Sequence, residues 1–167
     1  MKPTKKKAYA LYDTDDQGYP RGLPIQITTL AAALKPSTYQ CTREITLLDF
    51  DGDMYAVKQD IHKNKFVGKI PSFVPTIVYH DCSYSNFSTQ AAVYTYVTHN
   101  SLLTYIAQKK DVRLTETVVI ADDEDGFYEL SYADKLTLTP FKLTRELAYQ
   151  NAMNKLTDEE KKLLGLT

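Results

Sequence analysis

The sequence predicts an α+β fold: a single compact domain of antiparallel hairpins packed with helices, with a winged-helix-like amino-terminal half. Three observations carry this expectation. Two acidic clusters, Asp49-Phe50-Asp51-Gly52-Asp53 and Asp122-Asp123-Glu124-Asp125-Gly126, each lie between strand-like apolar runs. Asp-Gly in that setting signals a hairpin, because glycine accepts the positive φ of a tight turn. Ile27, Leu30, Ala31 and Leu34 recur at helical spacing and are followed by Lys35-Pro36-Ser37, which reads as a helix and its stop. Near the carboxy terminus, Thr157-Asp158-Glu159-Glu160 has the pattern of a capping box.

In chain order, residues 8–12 read as a strand ending in a first acidic turn, Asp13-Thr14-Asp15-Asp16-Gln17-Gly18. Pro20, Gly22 and Pro24 make the next stretch irregular. A helix is expected over 25–34 and a second, capped by Ser37 or Thr38, to about Glu44. The Gly52 hairpin follows. Thr76-Ile77-Val78-Tyr79 reads as a buried strand. Residues 88–108 have a broad apolar helical face, although Val93-Tyr94-Thr95-Tyr96-Val97-Thr98 is β-branched and aromatic and favours strand. A hairpin around Gly126, a helix over 141–155 and a short final helix complete the chain. The weakest boundary falls near residue 61. It divides a strand and helix-turn-helix-hairpin region, 1–60, from an α+β region with carboxy-terminal helices, 61–167, or joins them as one continuous domain.

A chain of 167 residues with net charge −1 has no global attraction to nucleic acid or anionic lipid. The clearest basic patch is Lys2, Lys5, Lys6 and Lys7. No apolar run approaches the roughly 20 residues of a membrane span, and no signal peptide is evident. Two cysteines, Cys41 and Cys82, make neither a disulfide framework nor a zinc site by themselves. These features predict a cytoplasmic protein without a membrane partner, cofactor or metal.

The helix-turn-helix reading has a functional consequence. Thr38, Gln40, Thr42 and Arg43 would lie on a recognition helix able to meet base edges or phosphates of duplex DNA. The wing tip would carry Asp49, Asp51 and Asp53, which repel phosphate, so charge weighs against DNA. The opening Tyr9-Ala10-Leu11-Tyr12-Asp13, with Leu30-Ala31-Ala32-Ala33-Leu34 and a Ser-Thr turn, resembles small phage and mobile-element proteins of Gram-positive bacteria. That resemblance covers about a quarter of the chain and implies an accessory or regulatory protein. Leu47-Leu48-Asp49-Phe50-Asp51-Gly52 resembles the first motif of haloacid-dehalogenase phosphatases. The resemblance implies Asp49 as nucleophile, Asp51 as acid and base, Thr98 as the Ser/Thr motif and magnesium near Asp122 and Asp123. Asp53 stands where that family has Thr, and only 23 residues separate Thr98 from Asp122, which places this reading third.

His80 and Cys82 share one face of a strand, with Asp81 on the other. They could supply two of the four ligands that zinc needs, and Cys82 could pair with His62 or His99 as thiol and imidazole, but without motif spacing the segment reads as a strand end with a polar turn. The leading expectation is therefore a non-enzymatic, phage-like inhibitor of anti-defence type. It would bind a host protein or protein–nucleic acid complex. Its contact residues would be Asp51, Asp53, Asp122, Asp123 and Asp125, on acidic loops that imitate nucleic-acid phosphates. No catalytic residue is assigned.

Overall fold

The structure, a computed structural model, describes residues 1–86, 91–92, 95–122, 126–140 and 145–166. Among these, the chain forms β1 (Thr4–Thr14), β2 (Pro20–Thr28), a 3-10 turn (Ala31–Ala33), β3 (Gln40–Phe50) and β4 (Asp53–His62). A second 3-10 turn (Lys63–Lys65) leads to β5 (Phe66–Val67), β6 (Thr76–Asp81), β7 (Tyr84–Asn86), β8 (Ala91–Ala92) and β9 (Thr95–Thr98). Then follow α1 (His99–Gln108), β10 (Leu114–Ala121), β11 (Gly126–Leu130), α2 (Arg145–Lys155) and α3 (Asp158–Leu163).

Nine of these strands form a mixed sheet in the order β2-β1-β3-β4-β11-β10-β6-β9-β5, and β7 and β8 pair separately. This corrects the expected α+β, winged-helix-like fold. The helices expected over 25–34 and from Thr38 to Glu44 are instead β2 with a 3-10 turn, and the first half of β3. The reason is local: Ile25, Ile27 and Thr28, then Thr42, Ile45 and Thr46, are β-branched and suit a pleated ladder. The long helix over 88–108 is likewise β9 followed by α1, and 88–90 and 93–94 lie outside the described residues. The expected helix over 141–155 is present as α2, with 141–144 outside the described residues.

The chain divides into two compact units, residues 1–6 with 46–135 and residues 7–45 with 136–167. In the first, β4 pairs with β11, β11 with β10, β10 with β6, and β6 with β9, all antiparallel. β9 pairs in parallel with β5, which continues β4 after a single 3-10 turn. Ile61, Val78, Tyr96 and Val119 form one buried cluster of this sheet, with Phe66, Ile70 and Phe127 packed against them. Phe66 of β5 stacks on Phe127 of β11, centroids 4.5 Å apart. Leu48, Tyr55, Ile120 and Leu130 form a second cluster with Phe50, Val57, Val118 and Tyr128. Both hairpins expected from Asp-Gly are present, with Phe50 opposite Asp53 and Ala121 opposite Phe127. The turn residues Asp123, Glu124 and Asp125 lie outside the described residues.

In the second unit, β1 and β2 form a hairpin whose register slips between Leu11 and Asp13, so residues 22–25 bulge out. Ala8, Ala10, Leu11, Tyr12, Ile27 and Leu34 are buried there. The 136–140 segment meets β2 through a Thr139 N–H donated to the Ile27 carbonyl at 2.6 Å. α3 carries the expected capping box, with Thr157 and Glu160 exchanging hydrogen bonds.

Candidate functional site

Among the described residues, the polar group with the most side-chain partners is a buried carboxylate on the sheet. Glu129 on β11 is 1% exposed. Its Oε1 accepts from Lys58 Nζ at 2.7 Å and Thr117 Oγ1 at 3.2 Å. Its Oε2 accepts from Gln59 Nε2 at 2.6 Å and Tyr96 OH at 2.8 Å. Two adjacent residues of one strand reach one carboxylate because the β4–β11 register shifts beside Glu129. Gln59 pairs with Glu129 and Val57 with Leu130, which leaves Lys58 as the extra residue of a bulge. Burial alone would raise the Glu129 pKa, but the Lys58, Tyr96 and Gln59 donors outweigh it and hold it below the usual value. Burial and the bond to Glu129 push the Tyr96 phenol far up. Four donors fill the roughly four lone-pair sites of a carboxylate. Glu129 is thus a saturated structural anion and has no lone pair left to act as a base.

His80 stacks on the Tyr96 ring, centroids 4.5 Å apart, and its Nε2 lies 3.8 Å from Cys82 Sγ. The expected shared face of His80 and Cys82 is therefore present, while His99 lies beside Tyr79, its Nδ1 3.4 Å from the phenol oxygen. Burial lowers the His80 pKa, against the pull of Glu129 and Asp81. Asp81 is buried and occupied: the Ser83 hydroxyl and amide and the Tyr105 hydroxyl donate to it. Among the described residues, no three His, Cys, Asp or Glu side chains come together as a metal site.

The acidic loops have local partners. Asp49 is buried and accepts from the Gly52 N–H at 2.7 Å and from the Lys6 ammonium, which together hold its pKa down, Lys6 most. Asp53 meets Lys135 at 2.6 Å, and Asp122 lies 3.7 Å from Lys2. Asp51 is exposed at the turn with φ of 57°. Asp123 and Asp125 lie outside the described residues. Two lysines of the basic amino-terminal patch serve the acidic clusters, Lys2 at Asp122 and Lys6 at Asp49, while Lys5 meets Asp60 on β4. Thr98, the proposed Ser/Thr motif, is buried and donates to Ser101.

The expected recognition-helix residues lie instead on or beside β3. Thr38 precedes the strand, Gln40 and Thr42 share one face, and Arg43 points to the other. Gln40 is bound to Ser37 through its Oε1 and to Asp13 through its Nε2. The same region holds what sequence reasoning missed. At the β1–β2 tip, Asp15 accepts from the Gln17 and Tyr19 amides, and Thr14 donates its N–H to the Tyr39 carbonyl at 2.9 Å. Tyr19 and Tyr39 are thereby held beside Asp15, with side chains 60% and 79% exposed. The richness in tyrosine was the available signal; its clustering depended on pairing between strands.

No helix among the described residues is long and apolar enough to cross a membrane. Compared with protein-family models, with curated proteins and with solved structures, the chain has no match.

Proposed function

We propose that the chain is a non-enzymatic, cytosolic binding protein of phage type that inhibits a host protein through the β1–β2 tip. The observation that carries this reading is the exposed pair Tyr19 and Tyr39 set among Asp13, Asp15 and Asp16. Tyrosine supplies a large amphipathic contact surface with few rotatable bonds and is enriched at interfaces. Carboxylates around it steer encounter with a basic surface. Leu23 and Ile25, 57% and 53% exposed, extend the apolar area along the bulge. Pro20 and Pro24 remove two backbone donors there, which disfavours strand addition and favours side-chain contact. Asp53 and Asp122 contribute less than Asp51, because Lys135 and Lys2 offset their charge.

The test is capture from nuclease-treated bacterial lysate on immobilised protein, with Tyr19→Ser/Tyr39→Ser and Asp51→Asn/Asp53→Asn variants in parallel. The reading expects a protein partner that survives nuclease, is lost with the tyrosine pair and is kept with the Asn pair. A partner removed by nuclease, or one indifferent to both tyrosines, overturns it.

A further inference from the structure

Two helices expose apolar faces of matching layout. On α1, Tyr105 turns inward to Asp81, which leaves Leu103 and Ile106 together on the outer face, 82% and 42% exposed. Lys110 follows the helix end and is exposed. On α3, Glu159 and Leu163 lie one turn apart on one face. Leu166 closes that helix, its N–H donated to the Lys161 carbonyl at 2.9 Å. Leu163, Leu164 and Leu166 are 86%, 61% and 38% exposed. We propose that α1 of one copy pairs antiparallel with α3 of a second copy, and reciprocally, so that the chain forms a two-fold dimer.

Charge and spacing select this occupant. From its basic end, α1 offers Lys110, Ile106 and Leu103, at steps of four and then three residues. From its acidic end, α3 offers Glu159, Leu163 and Leu166, at the same two steps. Laid antiparallel, the rows set Lys110 against Glu159, Ile106 against Leu163 and Leu103 against Leu166. A parallel pairing would set both charges against leucines, where neither is answered. The helix dipoles act in the same direction, since the carboxy end of α1 meets the amino end of α3. The neighbouring charges already have local roles. Lys109 lies over the Tyr105 ring, Asp158 pairs with Lys161, and Glu160 belongs to the capping box. A two-fold interface repeats each contact twice and takes five exposed apolar side chains of each copy out of water. It is small, so a weak dimer is expected, with Kd of about 10–100 µM. The inference uses no residue of the β1–β2 tip and is independent of it.

The test is sedimentation velocity of the full chain from about 1 µM to about 1 mM. A monomer–dimer equilibrium is expected. Leu103→Asp should raise Kd about a hundredfold, about tenfold at each of the two contacts. Its circular dichroism should be unchanged, because the position is exposed. The charges give the sharper arm. Lys110→Glu alone and Glu159→Lys alone should each weaken the dimer about tenfold, since each sets like charges together twice. Mixed in equal amounts, these two variants should form a heterodimer about as tight as the original, because both contacts then join opposite charges. A monomer throughout the range overturns the proposal; α3 docked within its own chain, or faces kept for another protein, would give that result. A dimer indifferent to Leu103→Asp, or a mixture no tighter than its two components, also overturns it.

Discussion

Replacing Glu129 by Gln removes a buried charge while preserving the side chain's shape, so the loss reports on the carboxylate network. The amide oxygen can still accept from Tyr96 and Gln59, but as a neutral acceptor. A hydrogen bond to a charged group contributes about 1.5–3 kcal/mol and a neutral one about 0.5–1.5. Two such bonds therefore lose about 2 kcal/mol together. The amide nitrogen then faces Thr117 and Lys58. Thr117 can rotate to accept, and Lys58, 59% exposed at its side chain, turns to solvent. Its ion pair adds at most about 1 kcal/mol because water screens it. The expected destabilisation is about 2–3 kcal/mol, or a fall in Tm of about 5–10 °C for a chain of this length. Glu129→Ala should cost more, about 3–5 kcal/mol, since it also strands the Tyr96 hydroxyl. The assay is urea and thermal unfolding followed by circular dichroism, with Tyr96→Phe and the double variant completing a cycle. The pH sign follows from the lowered Glu129 pKa. Its contribution is fully present above the ordinary glutamate value and is lost as pH falls through the folded-state value. Glu129→Gln should flatten that acid limb. A Glu129→Gln protein with unchanged Tm and unchanged acid limb would refute the network's role.

Other perturbations separate turn residues from structural ones. Asp51→Asn/Asp53→Asn should move Tm by no more than about 3 °C, since exposed pairs contribute about 0–1 kcal/mol; thermal melts check this. Asp49→Ala should lower Tm further than that pair, because Asp49 is buried on the Gly52 amide and Lys6. Gly68→Ala should destabilise by more than about 1 kcal/mol, as it combines a disallowed φ with a clash on Thr98; urea midpoints at constant slope measure it. Thr157→Ala should remove the α3 capping box at about 1 kcal/mol, visible as faster amide exchange at 158–161.

The sequence by itself determined the features that depend on a few adjacent residues. Asp51-Gly52 turns the β3–β4 hairpin because the backbone there needs positive φ at both positions. Thr157 and Glu160 start α3 because both partners of the box lie within one turn. His80 and Cys82 share a face because strand side chains alternate. The 25–46 region could not be decided that way. Its apolar residues fit a helical period while its β-branched residues suit a strand, and pairing within the sheet settled this conflict in favour of β2 and β3. Tertiary structure also decided the chemistry of the charges. Lys6 meets Asp49 and Lys2 meets Asp122 across long stretches of chain, so residues that read as free acidic tips and a basic patch offset one another. Lys58 reaches Glu129 only because a bulge turns it toward the same carboxylate as Gln59. Tyr39 is brought to the β1–β2 tip that carries Tyr19 only because β1 lies beside β3. Each of these depends on register between distant strands, which is set by which faces are buried when the whole chain packs.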